Sequence, residues 1–111
     1  MPFLTVYYNS DIKDDNFVQE ASEVVAKQLS KPIRYVVVNA INNPNMAFNG
    51  SADNKGALAE MQSIGFGDKN ALVKSLTDLI VEKLQVERSL VNIYLADMPA
   101  STVAIGGNLL G

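Results

Sequence analysis

The sequence predicts an α/β fold (α+β by some schemes): two βαβ units forming a four-stranded mixed sheet, with two helices on one face. Three observations carry this reading. Short runs rich in β-branched and aromatic residues alternate with two segments whose apolar residues recur at helical spacing. The order strand, helix, strand occurs twice, on either side of an Asn- and Gly-rich loop. The halves also keep a nearly constant offset: Tyr35 to Asn92 is 57 positions, and the same shift carries Pro2 to Ala59. A duplication with a right-handed crossover in each half fits that offset; coincidence in a common supersecondary unit is the alternative.

Pro2 to Tyr8, with Thr, Val and aromatics, reads as the first strand. Asn9 to Asp15 is polar and turn-like, and Asp14 or Asp15 is the expected N-cap of the first helix. Phe17, Ala21, Val24, Val25 and Leu29 form that helix's apolar stripe. Pro32 has no N–H to continue the helix, and Ile33 to Ile41 follows as the second strand. Asn42 to Gly56 is a loop in which apolar Met46-Ala47-Phe48 is expected to be anchored. Ala57 to Gly65 reads as the third strand, although Ala, Glu and Gln are weak strand formers. Leu72, Leu76, Leu79, Ile80 and Leu84 mark the second helix, and Leu90 to Ala96 the fourth strand. Val103 and Ile105 precede Gly106-Gly107 in the tail.

At 111 residues the chain has room for one domain over 1–111, burying roughly two-thirds of its unfolded surface. A hydrophobic share of 48% against 19% charged residues is a globular balance. The net charge is -3 and the basic residues are scattered singly, which argues against nucleic acid and against anionic membranes as partners. No apolar run approaches the roughly 20 residues of a membrane span, and the start lacks signal-peptide character, so a cytoplasmic location is expected. There is no cysteine and no histidine. Thiol nucleophiles, Cys/His zinc sites, Ser-His-Asp triads and histidine bases are therefore excluded. No metal site or cofactor is expected, since Asp14, Asp15 and Asp53 read as caps and solvated loop residues.

The run Ile33-Arg34-Tyr35-Val36-Val37-Val38 is apolar at nearly every position and is expected to be buried on both faces of the sheet. Two helices cover only one face. A second copy of the chain is the expected cover for the other, which makes the protein an obligate oligomer.

Pro2 is the candidate base. A small second residue allows Met1 to be removed, which would free a secondary amine. An unperturbed α-amine titrates at about 7.7–8.0, and desolvation or a neighbouring cation lowers that value enough to leave a neutral base near pH 7. By position alone, Pro2 is equally the first residue of an ordinary strand.

Several motifs occur in order along the whole chain: Met1-Pro2, Lys31-Pro32-Ile33-Arg34-Tyr35-Val36, Met46-Ala47-Phe48-Asn49-Gly50-Ser51, Ser63-Ile64-Gly65, Asn70, and Asp97-Met98 followed by Val103. Together they resemble the macrophage migration inhibitory factor family of the tautomerase superfamily. The resemblance implies a homotrimer with active sites at subunit boundaries. It implies keto-enol tautomerisation of α-keto acids such as phenylpyruvate, with some members acting on a dopachrome analogue and the processed proline serving as base. Residue by residue, Pro2 carries over as base and Lys31 as the anchor of the substrate carboxylate. Ile64 carries over as a backbone N–H donor, and Tyr35 as a ring at the pocket. Without the resemblance, Lys31 reads as a solvated charge complementing a helix C-terminus, and Ile64 as core.

Three departures from the family pattern stand out. The Tyr and Asn that a neighbouring subunit supplies from the fourth strand appear in reverse order, as Asn92 and Tyr94. Residues i and i+2 share a strand face, so both can still reach the pocket, but in exchanged places that imply altered substrate orientation; alternatively both are interface residues. Ile105 and Leu110 stand where many members carry Trp and Phe, a loss of about 0.5–1.5 kcal/mol per aromatic contact. Gly56-Ala57-Leu58-Ala59 replaces the Cys-x-x-Cys of the animal cytokine, which removes thiol-disulfide chemistry. Beside the tautomerase reading stand two others: a cytokine-like binding or signalling module, and a trimeric scaffold with residual activity.

Overall fold

The computed structural model describes residues 1–111. Along the chain lie β1 (Pro2–Tyr8), α1 (Phe17–Leu29), β2 (Val37–Asn42), β3 (Ala57–Ser63), α2 (Lys69–Leu84), β4 (Val91–Asp97), β5 (Ala104–Ile105) and β6 (Asn108–Leu109). The first four strands form one sheet in the order β2-β1-β3-β4, and β5 pairs with β6 in a small hairpin. β1 and β3 are antiparallel at the centre, while each outer strand runs parallel to its inner neighbour. This is the expected mixed sheet of two βαβ halves.

Strand alternation decides which face is dry. Leu4, Val6 and Tyr8 of β1 and Ala57, Ala59 and Met61 of β3 fall on one side and are buried. Both helices close over that side, each with a stripe at four-residue spacing: Phe17, Ala21, Val25 and Leu29 in α1, and Leu72, Leu76, Ile80 and Leu84 in α2. Gln28 donates to Ser75 at 3.0 Å, and Lys83 lies 3.6 Å from Glu20, so the helices run antiparallel.

Phe3 faces Val37 and Ala57 faces Val91, a separation of 34 positions in each half. The repeat shift differs from the expected 57. Both helices end on a left-handed residue, Ser30 and Gln85, which lie 55 apart, as do the 3-10 turns Ile33–Tyr35 and Arg88–Leu90. Tyr35 therefore corresponds to Leu90. The offset of 57 compared a residue in the turn before β2 with Asn92, which lies inside β4.

The second strand begins later than Ile33. The Tyr35 and Val36 N–H groups donate to the Pro32 and Ile33 carbonyls at 3.0 Å, which curls Ile33–Tyr35 into a single 3-10 turn. The strand is also buried on one face only within a chain. Val36, Val38 and Ala40 pack on the core, but Val37 is 54% and Ile41 37% exposed, because no element lies over that side. β3 stops at Ser63, two residues early, and the chain turns through left-handed Gly65. β4 runs one residue later than expected.

Neither Asp14 nor Asp15 caps α1; its N-cap is Asn16. Asp14 instead accepts the Asn16 N–H on Oδ1 at 2.9 Å and the Phe17 N–H on its carbonyl at 3.1 Å, a turn that leads into the helix. Asp68 does cap α2, accepting from the Ala71 N–H at 3.0 Å. In the long loop Phe48 is anchored as expected, at 8% exposure, next to an Asn49-Gly50 turn with both φ angles positive. No helix is long and apolar enough to cross a membrane.

Candidate active site at the chain start

One cleft of about 500 Å³ opens at the beginning of β1, lined by Met1, Lys31, Pro32, Tyr35, Ile105 and Leu110. Three separate pieces of chain build it. α1 ends in a Schellman turn: left-handed Ser30 (φ 51°) lets the Lys31 N–H reach back to the Ala26 carbonyl at 3.0 Å. That bond sets Lys31 at the cleft, and the following 3-10 turn brings Tyr35 to it. The third piece is the hairpin β5–β6, whose Gly106-Gly107 turn has φ angles of 58° and 87°. The Leu110 N–H donates to the carbonyl of buried Val103 at 2.9 Å, pinning the hairpin so that Ile105 and Leu110 form an aliphatic wall.

Electrostatics single out the terminal amine. Its pKa lies below the usual α-amine range, first because it is partly desolvated and second because the Lys31 charge disfavours its protonated form. Pro2 is directly inside Met1, and its side chain is less than 2% exposed. It pairs with Ser63 across the β1–β3 ladder, which sets half-buried Ile64 at the same end of the sheet.

A single chain thus gathers Lys31, Tyr35 and Ile105 around the residue that precedes Pro2. Ile64 is close in register but does not line the cleft. Asn92 and Tyr94 are elsewhere. They pair with Leu58 and Glu60 on the outer strand, two strands from β1 and on the face away from the helices. Tyr94 is 61% exposed, and Asn92 borders a second cleft of about 400 Å³ beside Phe48 and Leu90.

The model of the family described as "Macrophage migration inhibitory factor (MIF)" matches residues 1–111. The chain belongs to the macrophage migration inhibitory factor family. A macrophage migration inhibitory factor homolog of Brugia malayi is 33% identical to it over 116 residues, covering all of both chains. The structure of the Trichinella spiralis factor superposes with a TM-score of 0.85 at 25% identity, over 96% of this chain and 98% of that one. The Prochlorococcus marinus homologue superposes with a TM-score of 0.88 at 23% identity, over 98% and 99% of the two chains, a likeness of fold. The fold is that of the tautomerase superfamily.

Within this family member, sequence reasoning passed over two residues, one holding the long loop at the far end of β1 and one stacked on the cleft residue Tyr35. Asn9 is fully buried at the end of β1. It donates to the Met46 and Asn54 carbonyls at 3.0 and 2.9 Å and accepts the Gly56 N–H at 2.9 Å, tying the whole 43–56 loop to the sheet. Nothing distinguished it in sequence from the polar turn that follows. Arg34 donates from Nη2 to the Tyr35 hydroxyl at 3.1 Å and stacks 4.6 Å above that ring. The adjacency was visible in sequence, but the stacking depends on the 3-10 turn, which the strand assignment hid.

Proposed function

We propose that the protein is a keto-enol tautomerase of phenylpyruvate-like α-keto acids, with weak dopachrome-type activity at most, in which Pro2 is the general base once Met1 has been removed. The observation that supports this most is the cleft at the chain start: the terminal residue and Lys31 line it together, and burial, followed by the charge of that lysine, lowers the pKa of the terminal amine. Removing Met1 would move the amine one residue inward, to buried Pro2, next to a cleft that no acidic residue lines. Lys31 would hold the substrate carboxylate. The neutral proline nitrogen would take the proton from the enol hydroxyl side and return it at carbon, or the reverse. Tyr35 and Ile105 wall the substrate, and Ile64 offers its backbone N–H. No cofactor takes part in this scheme.

Family membership supports an isomerase in general terms; the substrate and the base are this proposal's own. The bare sheet face supports a homotrimer, since Val37, Ile41, Leu58 and Tyr94 leave apolar surface that another copy would cover. Asn92 and Tyr94 of a neighbouring copy would then complete each cleft at the subunit boundary. The test is a pH profile of kcat/KM on chain whose intact mass lacks Met1. The rate should fall toward acid as the amine protonates. A rate flat from about pH 5 to 8 would contradict an amine base.

A second reading, a cytokine-like binding module, draws on the factor names that the relatives carry. It differs in outcome: Pro2→Gly would abolish turnover yet leave partner binding intact.

A further inference from the structure

Lys31 and Tyr35 are the cleft residues whose side chains can hydrogen-bond, and only the phenol is held by another side chain. Its hydroxyl accepts from Arg34 Nη2 at 3.1 Å, and the Arg34 Cζ lies 4.6 Å from the centre of the same ring. The backbone of the turn does not depend on this pair. The Tyr35 and Val36 N–H groups reach the Pro32 and Ile33 carbonyls at 3.0 Å and fix it without any side chain. What the guanidinium adds is control of the phenol's two side-chain torsions at a half-buried position.

Strand register sets that phenol beside Pro2. The Asn43 N–H donates to the Tyr8 carbonyl at 2.7 Å, so the main-chain groups of Tyr8 face β2. By strand alternation those of Val6, Leu4 and Pro2 face β2 as well. Phe3 pairs with Val37, so the Pro2 nitrogen faces the level of Val36, the residue that follows Tyr35. The Tyr35 hydroxyl oxygen accepts from Arg34 but donates to no group of the chain, which leaves its proton for a substrate oxygen. A hydroxyl that accepts from a cation is polarised into a better donor. We infer that Arg34 is a positioning residue, which holds the Tyr35 ring and directs its O–H to a substrate oxygen in the cleft. The inference rests on the tautomerase reading for its substrate, and it does not require Arg34 to touch that substrate. Arg34 acts apart from the base, since burial and the Lys31 charge are what lower the terminal amine's pKa.

The test is a double-mutant cycle on chain lacking Met1: wild type, Arg34→Gln, Tyr35→Phe and both together, with Arg34→Lys as the conservative variant. Phenylpyruvate ketonisation across pH is measured on each, with calorimetric titration of phenylpyruvate beside it. Arg34→Gln should lower kcat/KM about fivefold, mainly through KM, and leave the acid limb of the pH profile in place. In the Tyr35→Phe background the same substitution should lower it by less than about twofold, because the hydroxyl through which Arg34 acts is gone. Arg34→Lys should recover part of the loss. An equal loss in both backgrounds, a displaced acid limb, or no loss at all would each overturn the inference and leave the tautomerase reading standing. If wild type turns over nothing, that reading fails and the cycle is read on Kd. Coupling between the two residues would then sustain the positioning role, and independent effects or an absence of binding would overturn it.

Discussion

The Lys31 N–H donates to the Ala26 carbonyl at 3.0 Å across a left-handed Ser30, so the cleft lysine is fixed to the end of α1 and not to a free loop. Serine accepts that backbone conformation at a cost, since its Cβ crowds the following carbonyl. Ser30→Gly should therefore raise stability by about 0.5–1 kcal/mol, and Ser30→Val should lower it by about 1 kcal/mol or more. Urea unfolding midpoints measure both. Equal midpoints for the three proteins would show that the turn carries no strain.

The charge of Lys31 has a predictable pH signature. A cation beside an amine disfavours its protonated form, so removing the cation raises the amine pKa. Only the neutral amine accepts a proton, and the acid limb of kcat/KM should therefore move to higher pH in Lys31→Ala. The KM should rise about tenfold through loss of the carboxylate partner. Lys31→Arg keeps the charge and should keep the limb. A limb that stays in place in Lys31→Ala would separate the base from this lysine.

Asn9 and Gly56 should be costly to alter for different reasons. Asn9→Ala strips the partner from the Gly56 N–H and from two loop carbonyls in a buried setting, a loss of about 2–4 kcal/mol. Gly56→Ala would set a methyl group 2.6 Å from the Leu90 backbone oxygen and 2.9 Å from Phe48, so the strand or the loop must move, at about 1–3 kcal/mol. Thermal unfolding reads both. A Gly56→Ala protein as stable as wild type would mean the loop yields freely.

The apolar sheet face predicts an assembly that charge should break. Val37→Asp and Leu58→Asp each place a carboxylate on that face, at positions 54% and 37% exposed in the single chain. Light scattering should give three chain masses for wild type and one for the variants. A wild-type monomer would remove the argument for a shared cleft.

The large features of this fold were legible because they depend on periodicity. The buried stripes of α1 and α2 and the alternation of β1 are encoded residue by residue, and the uncovered face followed from counting helices against strands. What sequence did not reveal depends on the backbone beyond the local run. Ile33–Tyr35 has strand-forming side chains, yet Pro32 and two short hydrogen bonds curl it into a turn. Asp14 is a good capping residue that is spent two positions before the cap. Of the candidate site, Lys31, Tyr35 and Ile105 meet at the chain start, while Asn92 and Tyr94 lie two strands away on β4. Arg34 escaped notice because its partner is the very next residue, and only the turn between them stacks the two side chains.

The central claim is that a free Pro2 amine is the base, and it is tested most directly by comparing two forms of the same chain. Intact mass spectrometry identifies one preparation that retains Met1 and one that lacks it, and phenylpyruvate ketonisation is measured on both. With Met1 retained the Pro2 nitrogen is an amide and has no basic lone pair. The account predicts turnover in the form that begins at Pro2 and none above background in the other. Equal rates in the two forms would contradict it.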